Sequence, residues 1–229
     1  MRKIIGIQLV FLLLTAFIAA AQGSNKKVKE QFVKIETNLG IMVFRLSPET
    51  PKHSANFVKL AKSGYYDSYD FNRVIKGFVI QGGETDSAYT AMGKAGEVIK
   101  RINPEFHASL FHQKGALAAG RDNNKEKTSF EGQFYVVDGK TYTDAQLDAF
   151  EKRVGNDFRF SAEARKIYKE IGGTPSLDQN YTVFGQLVKG FEALDRIAST
   201  TKNKADKPLT KVTIKVTVLS KKEIKELKL

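Results

Sequence analysis

The stretch Phe71–Gly83, FNRVIKGFVIQGG, sets the arginine Arg73 five residues before Phe78 and eight before Gln81. The segment is otherwise largely apolar and closes on Gly82-Gly83. A charged side chain in an apolar strand is costly unless it is paired or used. Side chains alternate along a strand. Phe71, Arg73 and Ile75 therefore point one way, and Asn72 and Val74 the other. Val79 and Gln81 alternate likewise beyond a break at Lys76-Gly77. Two short strand pieces would then share a concave face on which Arg73, Phe78 and Gln81 meet. Such a face offers a directed donor, an aromatic surface and an amide. Spacing alone leaves equal ground to a plainer outcome, with Arg73 at a strand end and its head in water.

Other chemistries find little support. The chain has no cysteine, which excludes disulfides, thiol catalysis, thiolate metal sites and lipid attachment through a cysteine. Its three histidines, His53, His107 and His112, show no metal-ligand spacing. No pair of acidic residues is spaced to single out a hydrolase. Ser129 and Ser161 lack a nucleophile-elbow context. Gly82-Gly83 is not followed by the lysine and serine of a phosphate loop. No metal and no cofactor is expected.

The N-terminus reads as a secretory signal peptide over residues 1–21. Arg2 and Lys3 begin it, Ile4 to Ala21 is almost wholly apolar, and Ala19-x-Ala21 precedes Gln22. An uncleaved anchor is the other reading. The expected destination is the periplasm or cell envelope, with no stable membrane insertion after cleavage. Residues 22–30 are polar and lysine-rich and are expected to be flexible. The remaining length suits one domain with a sizeable core. The formal charge is +12, but the lysines are scattered and no nucleic-acid motif is present. The charge is read as solubility with weak attraction to anionic envelope surfaces, not as nucleic-acid binding. A monomer is expected.

The elements that must position Arg73 are mostly short strands. Phe32 to Leu46 reads as a hairpin turning at Asn38-Leu39-Gly40. Thr50-Pro51 opens a helix with Phe57, Leu60 and Ala61 inward, ended by Gly64. GALAAG (Gly115–Gly120), QFYVV (Gln133–Val137) and TVFGQLV (Thr182–Val188) are strands. A short helix, Phe191 to Ala198, follows, and Leu209 to Leu219 alternates as the last strand. Residues 221–229 form a charged C-terminal tail. Many short strands, few helices and glycine-rich turns favour a closed antiparallel barrel. Residues 138–174 interrupt that pattern with two helices. Thr143 with Gln146 forms a capping box for the first, and Ser161 caps the second, which ends at Gly172-Gly173. This helical hairpin either packs on the barrel side or acts as a lid or docking arm.

FNRVIKGFVIQGG resembles the cyclophilin-type peptidyl-prolyl cis-trans isomerase signature F-H-R-V-I-x-x-F-M-I-Q-G-G-D. The family's A-x-N-F is approximated by Ala55, Asn56 and Phe57, which stand without the intervening residue, and its G-Y-Y is present as Gly64, Tyr65 and Tyr66. The resemblance covers about Phe32 to Leu219, with 138–174 as an insertion in a domain of 31–220. It implies a mainly β fold: a closed eight-stranded antiparallel barrel capped by two helices. It implies isomerase activity on X–Pro bonds in folding exported proteins. It also implies binding of proline-containing segments of unfolded or folding chains.

Rotation about X–Pro faces a barrier of about 18–20 kcal/mol because the amide is resonance-stabilised. A fixed donor aimed at the prolyl nitrogen stabilises the twisted amide, and no covalent step is needed. Arginine suits this role, because it stays protonated and its planar fork holds direction. By the resemblance, Arg73 is the catalytic arginine, Phe78 the floor of the proline pocket and Gln81 the residue that orients arginine and substrate. Val79 is an apolar wall. Gln133 and Tyr135 match the glutamine and second phenylalanine of G-S-Q-F-F, so the pocket gains a hydroxyl. Gly120 and Arg121 stand in the segment that pairs with the substrate backbone. In LDQNYTVFG, Leu177 lines the pocket and Tyr181 replaces a frequent histidine. Two departures stand out: the charged loop Asp122–Glu131, and Ser176 near the position where cyclosporin-sensitive members carry tryptophan. The competing readings are a non-catalytic chaperone of the cell envelope that holds proline-containing segments in the same groove, and a structural envelope protein.

Overall fold

A computed structural model describes residues 30–229. The expected signal peptide, residues 1–21, and residues 22–29 of the expected polar segment lie outside the described residues. The described residues contain ten strands: β1 (Gln31–Thr37), β2 (Gly40–Leu46), β3 (Phe71–Ile75), β4 (Val79–Gly83), β5 (Arg101–Ile102), β6 (Ala116–Ala119), β7 (Ser129–Phe130), β8 (Gln133–Val137), β9 (Val183–Lys189) and β10 (Lys215–Val218). The helices are α1 (Pro51–Lys62), α2 (Asp86–Lys94), α3 (Asp144–Val154), α4 (Ala162–Glu170), α5 (Phe191–Ala198) and α6 (Lys221–Glu226).

Eight strands form one antiparallel sheet in the order β10-β1-β2-β9-β6-β8-β4-β3, and β5 and β7 form a separate ribbon. The sheet curls into a half-barrel around a core of Val33, Phe44, Phe71, Ile80, Phe134 and Val216. Helices α1 and α5 add Phe57, Ala61, Leu194 and Ile197 to the same core. The rings of Phe57 and Phe134 meet edge to face at 5.4 Å, the geometry their quadrupoles favour.

The expected closure of the barrel is not realised. No ladder joins β3 to β10 among the described residues: just ahead of the two strands Asp70 and Thr213 form an isolated bridge, and Phe71 N–H donates to Val212 O at 3.0 Å. The edge of β3 is instead covered by the segment leading into β10. Val74 N–H donates to Asp206 O at 2.8 Å, and Lys202 Nζ donates to Val74 O at 2.8 Å. The expected final strand shortens accordingly to β10, with Leu209 exposed and Val212 and Ile214 buried ahead of it.

The C-terminal tail folds as α6, capped by Ser220 and Glu223. Its Ile224 and Leu227 pack against Phe32, Val43 and Leu219.

The 138–174 region does contain two helices. Thr143 and Gln146 form the capping box of α3, and the Ser161 side chain accepts from Ala164 N–H at the start of α4. The pair has its own small core, Leu147, Phe160, Ala164 and Tyr168, which takes in Phe111 from the preceding loop. Arg165 ties the helices together through Asp144, Asp148 and Glu151. The two ends of the hairpin meet at a neck. Lys140 and Gly173 exchange backbone hydrogen bonds of 3.1 and 2.9 Å, and Lys114 N–H donates to Gly172 O at 3.0 Å.

Candidate active site

Strands β3 and β4 form a hairpin whose turn uses Gly77 at φ +75°. Gly77 N–H donates to Asp138 Oδ2 at 2.7 Å. The register places Arg73 opposite Gln81, Gln81 opposite Tyr135, Tyr135 opposite Ala118 and Ala118 opposite Val183. Directly paired residues share a sheet face, so these five form one row across the outer side of the half-barrel. Val79, Ala116, Ala118, Tyr135, Val137 and Val183 make an apolar floor on that side. Half-buried Phe78, Leu177 and Tyr181 pack around it.

The alternation expected for β3 fails at one point. The register shifts between Phe71 and Arg73, with Asn72 as the extra residue. A bulge of this kind re-aims the flanking side chains. Phe71 therefore turns inward, packing on Phe134 at 5.9 Å, while Arg73 faces outward with Gln81. Asn72 fixes the bulge by donating from Nδ2 to Gly83 O at 2.7 Å.

Arg73 is half-buried, and among the described residues its side chain makes no hydrogen bond or ion pair. Gln81 is buried at 8 % exposure and likewise has no side-chain hydrogen bond among the described residues. Val79 and Tyr135 are buried in the floor. Gln133 begins β8 opposite Gly83, and its Nε2 donates to Glu84 O at 2.9 Å and Asp86 Oδ1 at 2.8 Å.

Gly120 and Arg121 follow β6 directly. Gly120 N–H donates to Gln133 O at 3.0 Å and its carbonyl accepts from Phe130 N–H at 2.8 Å. The Arg121 guanidinium is held by Asn180 O at 2.7 Å and Asp122 O at 2.6 Å, and by Asn180 Oδ1. It also sits 4.8 Å over the Tyr181 ring. Its side chain braces the Tyr181 wall and is not a free donor.

Two polar arrangements were not foreseen. In the first, Tyr135 Oη lies 2.8 Å from His112 Nε2, and His112 Nδ1 lies 2.6 Å from Asp178 Oδ1. Tyr168 Oη donates to Asp178 Oδ2 at 2.5 Å. Burial pushes the Tyr135 and Tyr168 hydroxyls well up, so both keep their protons. Only the tyrosine in QFYVV carried a sequence signal for this chain.

In the second, Ser129 Oγ lies 3.1 Å from His53 Nε2, and His53 Nδ1 lies 2.7 Å from Glu105 Oε2. This has the outline of a nucleophile, base and acid. Ser129 is fully buried, however, and His53 is 2 % exposed. The space beside His53 and Asn56 is about 10 Å³, too little for a substrate. Glu105 instead caps α1, accepting from the N–H groups of Lys52 and His53 at 3.1 and 3.0 Å. Among the described residues no cluster of potential metal ligands occurs, and no helix is long and apolar enough to cross a membrane.

The fold and the outer row can be set beside known proteins. The profile of the cyclophilin type peptidyl-prolyl cis-trans isomerase/CLD family matches residues 32–218. A putative peptidyl-prolyl cis-trans isomerase of Staphylococcus haemolyticus is 38% identical over 195 residues, covering 83% of this chain and 92% of that protein. One from Staphylococcus aureus is also 38% identical, covering 83% and 93%. Among solved structures, a Cryptosporidium parvum cyclophilin type peptidyl-prolyl cis-trans isomerase superposes with a TM-score of 0.60 at 25% identity, covering 84% of this chain and 99% of that one. The same protein crystallised in the presence of the dipeptide Ala-Pro gives 0.59. The chain belongs to the cyclophilin-type peptidyl-prolyl cis-trans isomerase family. It is therefore an isomerase acting on peptidyl-prolyl bonds.

Proposed function

We propose that the outer row of the half-barrel is the isomerase site and that Arg73 is its catalytic donor. The observation that carries this is a cation without a partner among the described residues, set opposite Gln81 beside an apolar floor. An arginine kept only for stability would be paired or fully solvated. Here its five N–H donors remain open to a ligand.

On this reading the prolyl ring rests on Phe78 and Tyr135, walled by Val79, Leu177 and Tyr181. The Arg73 fork donates toward the prolyl nitrogen as it loses conjugation and becomes basic. That interaction is strongest when the amide is twisted, so it lowers the barrier more than it tightens binding. Gln81 orients the guanidinium and the substrate. Gln133 is held by Glu84 and Asp86 with its side-chain amide against Gly120, where a Cβ would collide with it. Arg121 contributes its backbone, which makes no hydrogen bond to another described residue. The bound species is a proline-containing segment of an unfolded or folding chain, with Ala-Pro the dipeptide present with the Cryptosporidium relative.

The basic start, apolar run and Ala19-x-Ala21 site support export to the periplasm or cell envelope. N-terminal sequencing of the protein from the envelope fraction should begin at Gln22.

The chaperone reading uses the same groove without turnover. Arg73→Ala separates the two. Loss of turnover with retained peptide-induced NMR shifts supports catalysis by Arg73. Turnover that persists in the variant removes Arg73 from this role.

A further inference from the structure

Tyr168 lies in α4, outside the groove, yet a continuous buried chain joins it to the groove floor. Asp178 accepts from three donors: His112 N–H at 2.9 Å, His112 Nδ1 at 2.6 Å and the Tyr168 hydroxyl at 2.5 Å. An ionised carboxylate only accepts, so His112 Nδ1 carries a proton. In the neutral imidazole Nε2 then accepts from the Tyr135 hydroxyl. Tyr168 is fully buried and His112 is 1 % exposed. Among the described residues the Tyr168 hydroxyl is the donor to Asp178 Oδ2. Asp178 directly follows Leu177, a wall of the groove, and its other oxygen fixes the residue that holds Tyr135.

A second link runs through the neck. The Phe78 carbonyl accepts from the N–H groups of Asp138 and Gly139, each at 3.0 Å, where the hairpin departs. The hairpin is thus fastened on both sides of the apolar floor.

We propose that Tyr168 is a positioning residue of the isomerase. Acting through Asp178 and His112, it sets the tilt of the Tyr135 ring and the place of Leu177, so the α3–α4 hairpin tunes how tightly a proline-containing segment is held. This rests on the reading of the outer row as the proline site. A tyrosine ring turns about two side-chain bonds, and anchoring the far hydroxyl removes that freedom. A buried carboxylate that loses one donor must shift or re-pair. The nearest group to move with it is Leu177.

The test uses the purified protein and a tetrapeptide containing Ala-Pro. NMR titration gives the dissociation constant, and exchange spectroscopy at saturation gives the cis–trans rate. Tyr168→Phe keeps the ring in the hairpin core and removes only the hydroxyl. It should weaken binding about fivefold while leaving the rate at saturation within about twofold. Tyr135→Phe should weaken binding similarly, and the double variant no further than the worse single one, since both cut the same chain. Losses that multiply, or unchanged binding in Tyr168→Phe, overturn the inference. If Tyr168→Phe does not fold, the wild type decides: peptide saturation should shift the His112 ring-nitrogen resonances, and unshifted resonances refute the link. A wild type that neither binds nor accelerates the peptide overturns the groove reading itself. Normal wild-type activity that is lost in Arg73→Ala, with Tyr168→Phe indistinguishable from wild type, overturns this inference alone.

Discussion

Arg73 stands directly opposite Gln81 across the β3–β4 pair because Asn72 is bulged out of the ladder between Phe71 and Arg73. The bulge lets one five-residue strand serve two purposes. Phe71 and Val74 enter the core, while Arg73 faces the outer floor. Asn72 locks the arrangement through Gly83 O. Asn72→Ala removes that hydrogen bond and should lower isomerase activity about three- to tenfold, with about 1 kcal/mol of lost stability. Prolyl exchange rates together with urea unfolding would check this, and unchanged activity would mean the bulge holds without Asn72.

The hairpin neck is sterically tight at Gly173. A Cβ there would lie 2.6 Å from Tyr168 Cε1 and 2.9 Å from Gln113 Cα, and closer still to His112 O. Gly173→Ala should therefore cost about 1–3 kcal/mol. Denaturant unfolding measures the loss, and a change under about 0.5 kcal/mol would show that the neck relaxes freely.

Much of this was legible in the chain, and the failures have physical causes. The strands at GALAAG, QFYVV and TVFGQLV and the helix Phe191–Ala198 follow from apolar runs and turn residues, and the structure has them. The caps at Thr143 and Ser161 were equally plain, because capping is local chemistry. The helix α2 was not, since among its residues only Tyr89 is buried and no apolar stripe marks it. The inward turn of Phe71 was missed because a bulge breaks strict alternation without changing composition. Barrel closure failed as an expectation because the loop carrying Lys202 and Asp206, not a strand, satisfies the edge of β3. Residues Arg73, Val79, Gln81 and Tyr135 do gather on one face. The partners of Tyr135 could not be read, since His112, Tyr168 and Asp178 meet only through the fold.

Acid should destabilise the protein in two stages. Burial lowers His53 below its ordinary 6.5, outweighing the pull of Glu105. Glu105 resists burial but is held below its ordinary 4.5 by hydrogen bonds from His53 and the α1 backbone. In both cases the unfolded chain binds more protons than the folded one, so stability falls as pH drops. The His53 contribution is present above pH 6.5 and declines below it, and that of Glu105 declines below 4.5. Thermal unfolding from pH 8 to 4 should show both limbs, and His53→Gln should flatten the upper one. A flat profile between pH 7 and 5 would contradict this.

Cyclosporin should bind weakly, because Ser176, exposed beside Leu177, occupies the neighbourhood where sensitive relatives carry tryptophan. Calorimetry would settle it, and a dissociation constant in the low nanomolar range would overturn the expectation. Ser176→Trp should strengthen binding.

The most direct test of the Arg73 account is cis–trans exchange of an X–Pro peptide by NMR, with wild type and Arg73→Ala side by side. The account predicts fast exchange in the wild type and a loss of about 100-fold or more in the variant, with the fold and the peptide-induced shifts retained. Equal acceleration by both proteins, or none by either while peptide shifts persist, would contradict it.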